Sequence, residues 1–148
     1  MKIAKALKLK NQLAGEVAQL KGLLTQQNSR SSKQKFDYDN REVLTRLRAK
    51  LAELVKVKAA VAAGNAEIYD KIFRLAELKG LVTTLTGLDT KAGVFHEGRG
   101  FAESAYEVEY VAQIGKVDVD KLVAELNAEI QSLQDALDEF NFTRSVNL

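Results

Sequence analysis

The residues best suited to chemistry cluster near position 100. His96, the only histidine, lies beside Glu97 and seven residues before Glu103. Imidazole and carboxylate groups are common metal ligands, but an ordered site needs more converging ligands than one histidine supplies. A Ser-His-Asp triad would need the same histidine, and no serine lies in a nucleophile-elbow pattern. We therefore expect neither a metal site nor a triad.

Other candidate groups are equally sparse. Glu107 and Glu109 fall on the same side of a predicted strand and could act as an acid–base pair, although a solvated strand face has the same pattern. The stretch Gly98-Arg99-Gly100 is too short for a phosphate loop and lacks its lysine. The absence of cysteine excludes disulfides, thiolate zinc sites and cysteine nucleophiles. We expect a non-enzymatic protein with no catalytic, cofactor-binding or metal-binding residues.

Charge is distributed unevenly along the 148 residues, although the net charge is only +2. Residues 1–60 carry 14 basic and 5 acidic side chains, whereas residues 101–148 carry 3 basic and 10 acidic ones. A basic arm alone would suggest nucleic acid or anionic lipid as a partner. Because an acidic arm of similar size follows, we expect the two arms to lie against each other, within a subunit or between subunits.

Apolar residues recur every three or four positions in four segments, which predicts four helices. They span about 2–27, 41–63, 66–86 and 118–140. Asp39 or Asn40 caps the second helix. Gly64-Asn65 either breaks the second helix from the third, with Gly64 left-handed and Asn65 as the next N-cap, or forms a kink in one long helix. Asp118 is the expected N-cap of the fourth helix, with Val117 and Leu122 as a hydrophobic staple. The expected core stripe of the second helix is Leu44, Leu47, Leu51, Leu54, Val55 and Val61.

A short β-ribbon is predicted at about 93–114, between the third and fourth helices. Residues 106–111 alternate apolar and charged side chains, and residues 93–96 are the expected antiparallel partner, joined by a turn at 98–100. A lone ribbon is marginal in water, so its edge is a candidate assembly device. The sequence thus predicts a mainly α single domain over 1–148: an antiparallel four-helix bundle or long helical hairpins, with a flexible tail at 143–148.

Two aromatic residues, Phe36 and Tyr38, lie in the polar loop Asn28–Asn40. They either anchor a partner or tuck under the loop and pin it. Gly15 and Gly22 in the first helix either permit close helix packing or are simply tolerated.

Several short motifs resemble the septicolysin-like family of bacterial helical proteins. They are the opening Met1–Leu7 with Gln19-Leu20-Lys21, the helix-ending Asn65, and the strand Val108–Val111 followed by Val117-Asp118-Val119. Asn141-Phe142 is similar to an Asn-Trp pair of that family, and the segment after Asn65 is shorter than usual. The resemblance covers nearly the whole chain and implies a helical fold. The family's label implies a membrane-active, cytolysin-like protein.

The leading functional hypothesis is a cytoplasmic homo-oligomer, a coiled-coil-like helical protein that assembles through its basic N-terminal and acidic C-terminal helices. No apolar run approaches the ~20 residues of a membrane span, and lysines interrupt the N-terminal apolar positions of any secretory signal. Membrane activity is one alternative. Nucleic-acid binding is the other, through the basic residues of the second helix, Arg46, Arg48, Lys50, Lys56 and Lys58.

Overall fold

The computed structural model describes residues 1–98 and 106–148. The elements are α1 (Ile3–Gln26), α2 (Asn40–Gly64), α3 (Tyr69–Thr86), β1 (Gly93–Glu97), β2 (Tyr106–Tyr110) and α4 (Lys116–Thr143). The predicted mainly α fold, with four helices and a ribbon between α3 and α4, is confirmed. The chain divides into a first unit, Met1–Tyr69 with Leu137–Leu148, and a second unit, Asp70–Ala136.

The first unit is built on an antiparallel hairpin of α1 and α2. Tyr38, just before α2, donates its hydroxyl hydrogen to the Leu23 carbonyl near the end of α1, at 2.5 Å. At the other end, Ile3 of α1 lies against Gly64 of α2. The hairpin encloses one apolar core, in which the two helices interleave. Its buried members are Ile3, Ala6, Leu13, Val17, Leu20, Val43, Leu47, Leu54, Val57, Val61 and Val146.

The buried face of α2 is rotated from the predicted one. Val43 and Val57 enter the core, whereas Leu44 and Val55 are 45% and 64% exposed, so their predicted burial is wrong. A helix turns about 100° per residue, and α2 carries apolar side chains on two neighbouring rows. α1 packs on the row of Val43, Leu47, Leu54 and Val61, and the row of Leu44 and Val55 is left outside.

The break after α2 is confirmed, but its mechanism differs from the prediction. Asn65 is the C-cap of α2 rather than an N-cap, and α3 begins only at Tyr69. Among the described residues, positive φ occurs only at Gly93 and Gly98, so Gly64 is not left-handed. Its lack of a side chain serves packing instead. A Cβ there would overlap Val146 Cγ1 and lie 3.2 Å from Ile3 Cδ1.

No such crowding surrounds the glycines of α1. A Cβ at Gly15 or Gly22 would meet nothing within 4 Å. These glycines therefore do not create a close helix approach, and α1 simply tolerates them.

The C-terminal segment pairs with the start of the chain. The sequence predicts a flexible tail over 143–148, yet Val146 is buried in the core of the first unit. Its amide donates to the Met1 carbonyl at 2.8 Å, and the Ile3 amide donates to the Arg144 carbonyl at 3.0 Å. Phe142, just before the end of α4, is exposed. The tail therefore packs against the α1–α2 hairpin and contributes Val146 to its core.

The second unit contains α3, the ribbon and most of α4. Arg74 and Glu129 form an ion pair at 2.6 Å, twelve residues before the end of α3 and thirteen after the start of α4. This pair of side chains links the two helices that flank the ribbon in sequence. The strands pair antiparallel, with Phe95 opposite Val108, as the sequence predicts. The predicted turn at 98–100 falls largely outside the described residues.

α4 starts earlier than predicted. The helix begins at Lys116, and the Val119 amide donates to the Gly115 carbonyl at 3.0 Å. Asp118 therefore lies in the first turn and not at the N-cap position. Val117 is exposed to solvent, so the predicted staple with Leu122 does not form. Leu122 is 38% exposed.

Candidate interaction surfaces

The residues singled out for chemistry are not brought together. His96 on β1 lies opposite Glu107 on β2, with Nε2 and Oε1 4.0 Å apart, and both side chains are exposed. Successive strand residues point to opposite faces, so Glu97 and Glu107 are on different sides of the ribbon. Glu103 lies outside the described residues. Within the part of the chain that the structure describes, no three histidine, aspartate or glutamate side chains converge on a metal-sized site.

The opposite face of the ribbon carries a cluster around Lys91. Its ammonium lies 4.4 Å from the ring centre of Phe95, 4.2 Å from that of Tyr110 and 3.3 Å from Glu97 Oε1. The hydrogen bond from the Tyr110 hydroxyl, followed by that from Lys91, lowers the pKa of Glu97. The same bond to Glu97 raises the pKa of Tyr110. The cluster keeps the Glu97 carboxylate ionised. An ionised carboxylate can hold Lys91 and Tyr110 in place, but it has no proton to donate as a general acid.

Sequence reasoning missed this cluster because Lys91 precedes the predicted strand. A lysine two residues before a glycine carries no signal of its own. Only the ribbon register, which places Tyr110 opposite Gly93, shows that the lysine stem can reach both aromatic rings. Phe95 and Glu97 share one face of β1, and Tyr110 of β2 joins them only through this register.

A shallow cleft of about 560 Å³ lies where the α1–α2 loop meets α2. Gln27 closes its base by exchanging hydrogen bonds with Asp37, at 2.6 Å through the side chain and 2.8 Å through the Asp37 amide. Tyr38 is held by Leu23 and packs against the core, so the pinning role holds for this residue. Phe36 remains exposed. Within the lining, Gln27 bonds Asp37 and Asn40 Nδ2 donates to Asn28, whereas the buried Asn40 Oδ1 has no hydrogen-bond partner. The cleft lacks a convergent reactive set among the described residues.

The two units differ in how many of their apolar side chains are exposed to solvent. Only three described residues of the second unit, Leu75, Leu78 and Val119, are buried apolar side chains, against thirteen in the first. Among the described residues, ten large apolar side chains of the second unit are exposed, against six in the first. The ten are Phe73, Leu81, Leu88, Val94, Phe95, Tyr106, Val111, Ile114, Val117 and Leu122. This unit therefore presents much apolar surface to solvent.

The two units also differ in net charge. The first unit holds 15 Lys/Arg and 8 Asp/Glu, a net of +7, and the second holds 7 and 12, a net of −5. The asymmetry read along the sequence thus becomes a difference between two compact bodies. Unlike charges on two bodies of one chain attract each other both within a copy and between copies.

Most cations of α1 and α2 have no ion-pair partner among the described residues. The exception between the helices is Lys50, 2.9 Å from Glu16. The hydrogen bond from Lys50, and then that from Gln12, lowers the pKa of Glu16, while the bond to Glu16 raises the pKa of Lys50. The cations without such a partner in the described ranges are Lys5, Lys8, Lys10, Lys21, Arg41, Arg46, Arg48, Lys56 and Lys58.

These cations do not share one face of α2. Arg46 and Arg48 are about 200° apart around the helix, as are Lys56 and Lys58, because each residue advances about 100°. A groove-binding helix would concentrate its cations toward the phosphates. Nucleic-acid binding stays a prediction of the sequence, without a matching stripe on the surface.

Two further findings bear on function. In the described parts of the chain, every helix is too short or too polar to cross a bilayer. The chain matches no known protein family, no curated protein and no solved structure. The septicolysin-like resemblance therefore stays a prediction.

Proposed function

We propose that this protein is a non-enzymatic, cytoplasmic, self-assembling helical protein, whose copies associate through surfaces of opposite charge. One observation carries the proposal. The net −5 unit is also the one with ten exposed large apolar side chains, and the net +7 unit holds most of the core. An anionic, apolar surface and a cationic body in one chain are complementary between copies.

The two properties contribute differently to association. Removing apolar surface from water stabilises a complex by roughly 25 cal/mol per Å² before the costs of association. Complementary charge adds mainly specificity and a faster encounter. Monomeric soluble proteins rarely expose contiguous apolar patches larger than a few hundred Å². The apolar residues of the second unit would thus supply affinity, and the unlike charges would select the partner.

The ribbon adds a second means of contact. Its two strands pair only with each other among the described residues, so each has an outer edge with unpaired backbone groups. Such an edge can accept a strand from another chain. The Lys91 cluster braces one face of the ribbon and would keep the edge in a defined geometry.

Light scattering after size-exclusion chromatography tests the proposal. We expect a mass that is a multiple of 16.3 kDa at about 0.1 M salt, where charges interact over ~10 Å, and a smaller mass at about 1 M salt, where they are screened beyond ~3 Å. A 16.3 kDa species at both salts and at all concentrations would contradict self-assembly.

A matched pair of variants tests the role of charge. Glu125→Lys with Asp135→Lys reverses two exposed carboxylates of the second unit and should weaken association. Glu53→Lys with Glu139→Lys makes the same change in net charge on the first unit and should not. Equal masses for both variants and the wild type would contradict the electrostatic part of the proposal.

A further inference from the structure

The α1–α2 hairpin has two long sides, and the carboxylates of both helices lie on one of them. The buried residues of each helix define the direction in which it faces the other helix. Because a helix turns about 100° per residue, Glu16 of α1 and Glu42 and Glu53 of α2 lie about 80–105° from that direction, in the same sense of rotation. In an antiparallel pair of helices, equal senses of rotation lead to the same side. The ion pair between Glu16 and Lys50, 2.9 Å long, bridges the two helices on this side.

The other side of the hairpin carries cations and apolar side chains, with no carboxylate from either helix. Lys10 and Lys21 of α1 and Lys58 of α2 lie about 35–60° from the facing direction in the opposite sense, and Arg48 of α2 lies about 135° from it. None of these four cations has an ion-pair partner among the described residues. We call this side the basic face. Its apolar members, about 75–115° from the facing direction, are Leu7, Ala14, Leu44, Leu51 and Val55.

Cations and apolar side chains alternate in bands along the basic face. The ion pair that links the two helices sets their register, in which position 10 of α1 lies beside position 56 of α2 and position 21 beside position 45. Lys10 is therefore within about one turn of Lys58, and Lys21 is within about one turn of Arg48. These two cation bands are about 15 Å apart, because ten or eleven residues separate their members along each helix. Apolar residues lie between the bands and beyond each of them.

The core uses only part of this apolar surface. Leu7 and Leu51 are half-buried and pack against the core of the first unit. Leu44 and Val55 are 45% and 64% exposed. Each cation band also holds two like charges close together, and no carboxylate of the hairpin neutralises them on this side. A partner with both carboxylates and apolar side chains would offset the repulsion and cover the exposed leucine and valine.

We propose that the basic face binds an acidic amphipathic helix of another protein. A helix laid along a groove and anchored by its apolar side chains is a common mode of recognition. Two carboxylates eleven residues apart on such a helix would match both cation bands, because eleven residues rise about 16 Å and complete about three turns. Apolar residues three or four positions from each carboxylate would then lie on the same side. A nucleic acid would neutralise the cations but would bring no apolar side chains to Leu44 and Val55.

Binding of a synthetic helical peptide tests the proposal, which goes beyond self-assembly because the partner is a different chain. The probe has about eighteen residues, with leucine at positions 1, 8, 11 and 18, glutamate at positions 4 and 15, and alanine or glutamine elsewhere. A matched peptide has glutamine in place of both glutamates. In fluorescence anisotropy at about 0.1 M salt, the glutamate peptide should bind roughly tenfold more tightly than the glutamine peptide. The difference should disappear at about 1 M salt, where the charges are screened.

A matched pair of variants locates the charges that matter. The band variant, Lys21→Gln with Lys58→Gln, removes one exposed cation from each band. The control, Lys5→Gln with Arg46→Gln, makes the same change in net charge on the side of the hairpin that carries the carboxylates. The band variant should bind the glutamate peptide roughly tenfold more weakly than the wild type, and the control should bind it equally well.

The apolar contribution has its own variant. Leu44→Gln with Val55→Gln should weaken the binding of both peptides at both salt concentrations, because it removes apolar surface that salt does not screen. Helical circular dichroism checks that all three variants fold.

The outcomes separate this inference from the proposed function. Absence of peptide binding by the wild type, or equal losses in the band variant and the control, overturns the inference. A single-stranded oligonucleotide that displaces the peptide and binds the variant of Leu44 and Val55 at full strength assigns the basic face to nucleic acid and overturns it as well. An oligomer that becomes monomeric in the band variant but not in the control assigns the face to a second copy, which overturns the inference and leaves self-assembly standing. A monomeric wild type that binds the glutamate peptide as described overturns self-assembly and supports the inference.

Discussion

Gly64→Ala is the sharpest test of the first unit, because a single methyl group must enter the space between α2 and the C-terminal tail. The new Cβ would overlap Val146 Cγ1 and lie 3.2 Å from Ile3 Cδ1. The Ile3 methyl is the end of a flexible side chain and can move. Val146 has little freedom, since its side chain is β-branched and its amide is bonded to the Met1 carbonyl.

The expected magnitude is a balance of two effects. Overpacking a well-packed core costs about 1–3 kcal/mol. Replacing glycine by alanine inside a helix gains up to about 1 kcal/mol, and less at the last residue of a helix such as Gly64. We expect a net loss of about 1–2 kcal/mol, which lowers the urea midpoint by about 0.5–1 M.

Urea unfolding followed by helical circular dichroism measures this loss, and amide exchange at Val61 locates it in the first unit. Gly15→Ala is the control, because its Cβ meets nothing within 4 Å and should raise stability by about 0.5–1 kcal/mol. Val146→Ala tests the cause, since it removes the overlapping methyl. On that background, Gly64→Ala should be neutral or stabilising. A cost that is the same with and without Val146 would refute the packing argument.

Two further predictions concern local hydrogen bonds. Asp39→Ala removes the N-cap bond to the Arg41 amide, 2.8 Å long, and should cost about 1 kcal/mol in urea unfolding; an unchanged midpoint would show that the cap is dispensable. Tyr110→Phe removes the first cause of the lowered pKa of Glu97, so that pKa should rise toward its ordinary value in a carboxyl NMR titration. Because the folded pKa of Glu97 is below its unfolded value, its stabilising contribution is present above the unfolded pKa and is lost as pH falls through the folded one. The acid limb of stability should therefore be shallower in Tyr110→Phe than in the wild type, and identical acid limbs would count against the cluster.

Local signals in the sequence predicted the elements well. The four helices, the break at Gly64-Asn65, the cap at Asp39 and the partner strand of the ribbon all follow from short-range patterns of apolar, turn and capping residues. These features depend on residues a few positions apart, so the sequence contains the information needed to place them.

Features that depend on distant partners were predicted poorly. Two apolar rows of α2 fit helical periodicity equally, and only the packing of α1 decides that Val57 is buried and Val55 is not. The role of Gly64 depends on Val146, which lies at the other end of the sequence. Val146 itself stands in a short polar tail without any periodic pattern. The candidate surfaces share this limit: the charge asymmetry is visible in the sequence, but the row that α2 leaves open is a result of tertiary packing.

The pairing of Val146 with the first residues has a consequence for how the chain is made. The first unit is discontinuous in sequence, and the whole second unit is synthesised between its two parts. A ribosome adding about 5–20 residues per second would deliver Val146 roughly 4–16 s after the end of α2. Throughout that interval Ile3 lacks one of its apolar neighbours, and the α1–α2 hairpin must persist unfinished. Vectorial synthesis thus makes the docking of the tail the closing event of folding. The nascent hairpin is then the stage of synthesis at which binding of a chaperone would protect the chain most.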